Sequence, residues 1–401
     1  MALLINAGQL KATPLLAWVP VDLTLLLGVA VAAWASLLLF TRPTRLNSSA
    51  PFFVLLLAFS VASFDAPGSD YGRTKVLTLF TVTAVLMLSP FVLFRERSHL
   101  DYFFSATLGI ASIAAVLTIT NPASVADYST RVTFDGTNTI GAARVLGAGI
   151  VVCVIRAVWS TTTVRRRLTY GALTPVLLWG LLSTGSRGPF IATALAVLAV
   201  CAVALATRRS NGWMIAVLTA VIFGGAAIAE RASTDGTSRI FGFFEGTRDT
   251  STRARNELWR GTAEAIPDHP LGVGVGSFSD TQVLWGTYTY PHNVILEVFA
   301  EAGWTTGILL CLIVAIGTVR SIRGANVAGD FLTLGLLVFA LVNAMVSGDI
   351  NSNRLVWVML AIAMMGPRGG HLRAQAPESR LGGARTQRHP PVVHRGANPS
   401  I

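Results

Sequence analysis

The stretch Tyr290–Val319, YPHNVILEVFAEAGWTTGILLCLIVAIGTV, decides how the chain is read. From Val294 onward it has the length and apolarity of a membrane-crossing helix. Yet His292 stands at its mouth, and Glu297 and Glu301 fall in its first turns. An ionisable side chain near the centre of a bilayer costs about 2.5 kcal/mol or more, so such groups mark function. Asn293 is a good N-cap for this helix, which sets His292 against the positive end of the helix dipole. That position favours a neutral imidazole, the form that can act as a general base. Glu297 and Glu301 are four apart and share a face, with Glu301 about 12 Å along the axis from Asn293. They are expected to orient His292, to pair with an arginine or to line a polar cavity.

Working outward, apolar runs recur along all 401 residues, of which 52% are hydrophobic and only 13% charged. A soluble domain carries roughly twice that charged fraction. The composition therefore implies an all-α polytopic membrane protein, since lipid leaves helix as the way to satisfy backbone amides and barrel-like alternation is missing. The apolar segments predict eleven spans, at about 20–40, 51–65, 76–94, 102–120, 139–159, 168–184, 189–207, 212–229, 294–319, 331–347 and 354–366. No repeat of 20–50 residues is visible, which argues against a repeat-built transporter. Cys153, Cys201 and Cys311 lie in separate apolar runs, without metal or disulfide spacing. The N-terminus lacks a basic n-region and a cleavage site, so no signal peptide is expected.

Arginines sort the connections. Arg42 and Arg45, Arg95 and Arg97, Arg165–Arg167, Arg208 and Arg209, and Arg320 and Arg323 fall in alternate loops. Lys/Arg excess marks the cytoplasmic side, so these loops and the tail after Gly366 face inward and the N-terminus outward. The net charge of +11 is thus a topology signal, and it implies no nucleic-acid partner. Residues 367–401, with six arginines against one glutamate, read as a disordered basic cytoplasmic tail on a 1–366 membrane domain. The other face has short loops and one long one, about 230–291, where function is expected.

On that outer face, STGSRGPF puts Arg187 in a tight turn between two apolar helices. Within the long loop, STRARNELWRGTAEAIPDHPLGVGVGSF predicts a helix from Arg255 to Ile266, stopped by Pro267. Leu258, Trp259, Thr262, Ala263 and Ile266 give it a weakly apolar face, suited to lying on the membrane with Trp259 at headgroup depth. GVGVGSF has no strand before it and no helix after it, which excludes a nucleotide loop. It reads as a turn in which Gly272, Gly274 and Gly276 permit close backbone approach.

The order SRG, then R…LW with HPLGVGVGSF, then HN…LE…EAG, resembles the O-antigen ligase and polymerase family over about 181–308. The resemblance implies an all-helical fold akin to the large GT-C-like membrane glycosyltransferases. It implies a membrane glycan ligase or polymerase of cell-envelope polysaccharide biosynthesis, moving a glycan from a polyprenyl diphosphate carrier to an acceptor hydroxyl. No cofactor, nucleotide or essential metal is implied; the partners are the carrier-linked donor, a glycan, lipid or protein acceptor, and membrane lipid. The family's two outer arginines match Arg187 and Arg255, and its histidine matches His292. Ligases of the family have twelve spans, one more than predicted here. Arg253 and Arg260 compete with Arg255 for its role, and His269 with His292. Asn293, Arg260, Glu297 and Glu301 stand as supporting residues. Two other readings stay open: a transporter or flippase of lipid-linked glycans, and a metal-dependent membrane glycosyltransferase using Asp65 and Asp70 of the first outer loop.

Overall fold

The computed structural model describes residues 1–13, 16, 18–41, 47–64, 69–120, 122–125, 128–134, 138–159, 163–207, 250–279 and 288–366. Two short helices, α1 (Ala2–Ile5) and α2 (Ala7–Lys11), precede α3 (Leu23–Thr41) and α4 (Ala50–Ala62). Next come α5 (Asp70–Leu93) and α6 (Arg97–Thr120). After them follow α7 (Thr139–Trp159), α8 (Val164–Ser183) and α9 (Arg187–Ala206), then α10 (Thr250–Ala265). The last three are α11 (Val294–Ala328), α12 (Phe331–Val346) and α13 (Arg354–Met364). Every predicted span within the described residues is helical. The predicted span 212–229, Arg42, Arg45, Arg208, Arg209, Asp65 and the tail lie outside them.

Six of these helices are long and apolar enough to cross a membrane, namely α3, α5, α6, α7, α9 and α11. α12 and α13 are apolar but shorter. The protein is a helical, multi-pass membrane protein. The described residues depart from helix in one antiparallel hairpin, Pro122–Val125 with Tyr128–Phe134, where a plain loop was expected.

Two boundaries moved for a reason. α5 begins six residues before the predicted 76 because Ser69 caps it, its hydroxyl accepting from Gly72 N at 3.2 Å. Hydropathy excluded those six residues because they contain Asp70, Arg73 and Lys75, yet Lys75 is buried. α11 runs nine residues past the predicted end and is broken at Gly303 (φ 78°, ψ 178°).

The core is built around α7, which packs against α6, α8, α9 and α12. Small residues bring these helices close, as expected where lipid offers no hydrophobic drive between them. A Cβ on Gly149 would lie 2.3 Å from the Ala111 methyl of α6. Helix ends collect at two ends of the bundle. At the basic end, Arg95 donates to Leu38 O, Arg97 to Ala328 O and Arg320 to Met364 O. At the opposite end, Arg144 donates to Ser347 O (2.6 Å), Arg354 to Leu4 O (3.0 Å) and Val275 N to Ala62 O (3.3 Å).

Candidate functional site

The residues singled out in the sequence sit at this second end. Arg187 opens α9, following a three-residue turn, Thr184–Ser186, in which Gly185 takes φ 61°. α10 begins at Thr250, five residues earlier than predicted, and separates its residues by face. Thr252, Arg255, Asn256 and Trp259, spaced i, i+3, i+4 and i+7, face a cavity of about 320 Å³ that Arg187 also lines. The two arginines, 68 positions apart, thus share one pocket. Leu258, Ala265 and Ile266 are buried with Phe278 and Ala300 on another face. Arg253 and Arg260 point outward and pair with Glu257 (2.9 Å) and Glu264 (3.7 Å), so the structure separates both from the pocket that Arg255 lines.

Trp259 anchors this helix to the chain ahead of α11. Its indole N–H donates to Pro291 O at 2.9 Å, and Ala263, assigned to the apolar face, is exposed. The helix that carries Arg255 is therefore tied to the residue just before His292.

Asn293 is the N-cap of α11, as the sequence indicated, and its side-chain oxygen accepts from Ile295 N (3.1 Å) and Leu296 N (3.2 Å). His292 has φ 57°, the one non-glycine residue with positive φ among the described residues. Such backbone costs about 1–3 kcal/mol and persists where its surroundings hold it. Its ring meets that of Tyr290 edge-on with centroids 4.6 Å apart, and its Nδ1 is buried without a hydrogen-bond partner. Burial, then the charge of Arg255 and that of Arg144, push its pKa down from 6.5 to about 4. At neutral pH the imidazole is a free base. Burial also pushes the Tyr290 hydroxyl upward.

His292 lines a second cavity of about 320 Å³, with Arg144, Tyr290, Asn343 and Arg354. Ile140 and Ser347 line both cavities, so the two adjoin. His269 lines neither.

Glu297 and Glu301 are assigned neither to His292 nor to an arginine. Both pair with Lys75, whose Nζ lies 2.6 Å from Glu297 Oε1 and 2.7 Å from Glu301 Oε1. All three are buried, Lys75 at 2% exposure and the glutamates at 0%. Lys75 donates an aligned hydrogen bond to Glu301, and its contact with Glu297 is one of charge. Gly276 N donates to the second oxygen of Glu301 at 3.0 Å. Asn351 donates to Lys75 O and accepts from Thr83, each at 2.8 Å. Lys75 was missed in the sequence because it falls one residue before the predicted span.

The glycine loop has the close approach expected of it, and its target is the break in α11. Val273 N and Gly274 N donate to Ala300 O and Glu301 O, each at 2.9 Å, and Trp304 N donates to Pro270 O at 2.9 Å. A Cβ on Gly276 would lie 2.6 Å from Gly72 Cα. The Gly276 N–H is taken by a carboxylate, which is incompatible with a phosphate-binding role for that amide. Asp70 is an exposed first-turn residue of α5, and its proposed partner Asp65 is outside the described residues.

Fold and site together define a multi-pass helical membrane protein with two arginines and a histidine around adjoining cavities at one end of its bundle. The O-antigen ligase family model matches residues 172–311, a segment that contains Arg187, Arg255 and His292. Over that segment the chain is similar to O-antigen ligases. No curated protein matches the chain.

Proposed function

We propose that the protein transfers a glycan from a polyprenyl diphosphate carrier to an acceptor hydroxyl at the outer face of the cytoplasmic membrane. The observation that carries this reading is that Arg187 and Arg255 line one cavity adjoining the cavity lined by a neutral His292. Guanidinium groups stay charged and bind phosphate oxygens bidentately, so the pair suits a diphosphate. In the step proposed, the acceptor oxygen bonds to the anomeric carbon while the bond from that carbon to the phosphate oxygen breaks. The diphosphate leaves with the electron pair, held by the two arginines, and His292 takes the hydroxyl proton. One base and in-line attack give inversion at the anomeric carbon. The donor is already activated, so neither a nucleotide nor a metal enters the step.

The alternate arginine-rich connections support an orientation with the basic end cytoplasmic and the site outside. Eleven spans, a GT-C-like architecture, a 1–366 membrane domain and a cytoplasmic tail complete the reading. Purified protein given carrier-linked glycan and acceptor is expected to form the transferred product. Arg187→Ala, Arg255→Ala and His292→Ala are each expected to lower turnover by about 10²–10³. Full transfer by all three variants would remove the site. The absence of transfer alongside transmembrane movement of intact carrier-linked glycan would favour the transporter instead.

A further inference from the structure

The cavity at His292 contains more polar chemistry than deprotonation needs. Four of the residues lining it each carry a buried side-chain atom without a hydrogen-bond partner: Gln9 Oε1, Arg144 Nε, His292 Nδ1 and Asn343 Oδ1. Native interiors seldom leave such atoms unpaired, so each points to a missing ligand group or water. Two of them, on Gln9 and Asn343, are acceptors lacking a donor, and Arg144 Nε is a donor lacking an acceptor. A hydroxyl both donates and accepts, so a sugar answers this mixed set better than an apolar or purely anionic ligand.

Arg144 adds a charge requirement. Its guanidinium donates one hydrogen bond to Ser347 O at 2.6 Å, and the described ion pairs do not include it. The carboxylate whose field reaches it, Asp349, is engaged by Ser352 N at 2.7 Å. Arg354 stands in the same wall, donating to Leu4 O and Thr24 Oγ1, again without an ion pair among the described residues. A buried cation without a counter-ion in direct contact is costly, and an oxyanion on the ligand would supply that contact. At about 320 Å³ the cavity is at the lower end of small-ligand sites, roughly 300–1,000 Å³, which suits a short saccharide end.

We infer that this cavity is the acceptor subsite, and that it takes a saccharide end bearing an oxyanion, carboxylate or phosphate, seated on Arg144 with a neighbouring hydroxyl toward His292. The inference rests on the transfer reading above, and it assigns the adjoining Arg187–Arg255 cavity to the donor alone.

The test measures equilibrium binding of three matched oligosaccharides to the full-length protein in detergent. One ends in a uronate, one is its carboxyl-reduced counterpart, and one carries a phosphate in place of the carboxylate. At least one acidic form is expected to bind ten-fold or more tighter than the neutral one, with the preference shrinking as salt rises. The tighter of the two acids identifies the oxyanion. Arg144→Gln is expected to abolish the preference while leaving the affinity for polyprenyl diphosphate unchanged. Should that variant not fold, the native preference and its salt dependence decide the matter. Equal binding of acidic and neutral forms overturns the inference. So does a preference that survives in Arg144→Gln, or a loss of diphosphate affinity in that variant, which would place the guanidinium in the donor site. Acid-selective binding without any transfer product would instead retire the transfer reading and leave the ligand class standing.

Discussion

Replacing Lys75 with methionine removes the only cation of a buried cluster that contains two carboxylates, Glu297 and Glu301, within 2.7 Å of it. Taking one partner from a buried ion pair costs about 3–5 kcal/mol, because the other is left uncompensated. Here two carboxylates lose one lysine, and what remains is the single amide donor Gly276 N to Glu301. The upper end of that range is expected. Replacing all three residues together, Lys75→Met with Glu297→Gln and Glu301→Gln, leaves no unpaired charge, and buried ion clusters can be exchanged for neutral side chains of similar volume at little cost. Gln at 301 keeps an amide oxygen for Gly276 N. Tryptophan-fluorescence melting in one detergent measures both variants. The single variant is expected to melt well below the native protein, and the triple to recover at least half of the loss. A Lys75→Met protein that melts with the native one would refute the reasoning, as would a triple variant that falls as far as the single.

Other outcomes follow from the same geometry. The proposed transfer needs neutral His292, whose pKa is held near 4, so kcat/KM is expected to fall on the acid side near pH 4 and not near 6.5. Arg255→Gln removes a positive charge that lowers this pKa, so the acid limb of its residual activity moves to higher pH; a stationary limb would contradict the coupling. Trp259→Phe keeps the ring and loses the hydrogen bond to Pro291 O, a loss of about 0.5–1.5 kcal/mol to be seen in thermal melts. Gly303→Ala puts a side chain on backbone at φ 78° and ψ 178°, a region open essentially to glycine alone. Its Cβ would also lie 2.4 Å from Leu271 C. It is expected to lose about 1–3 kcal/mol from backbone strain, with the overlap adding to it.

Helices that act through local pattern were legible in the sequence. Thr139–Trp159 coincides with its predicted span, since its apolar run ends at loop residues on both sides. Asn293 was recognisable as a cap because capping depends on one side chain and the next three residues. Arg187 and Arg255 were singled out by resemblance, and nothing local in either stretch says that they face one cavity. Lys75 shows the limit most directly. Hydropathy counts a charge as a cost whether or not it is paired, and the partner of this one lies 226 residues away. Arg144, near the end of a span, offers no local sign of its contact with Ser347 O, 203 residues on. Trp259 reads in the sequence as an interfacial anchor, and nothing local signals its hydrogen bond to Pro291 O, 32 residues on.

The charged first turns of α11 can now be explained by what they hold. The helix is interrupted at Gly303, so the segment Val294–Ala302 is too short to be stable unaided. Three sets of contacts fix it. Asn293 caps its start, the loop amides of Val273 and Gly274 take the carbonyls of Ala300 and Glu301 near its end, and Lys75 of α5 clamps its glutamate face. A purely apolar segment could pack in the same place, but it could slide or rotate with little change in energy. A buried ion pair tolerates neither movement, because either one strands a charge. His292 is two residues from Val294 and held at positive φ, so its ring inherits the position of this segment. The Lys75 pairs of Glu297 and Glu301 thus fix the register of the helix mouth against α5, and with it where the imidazole meets the wall of its cavity.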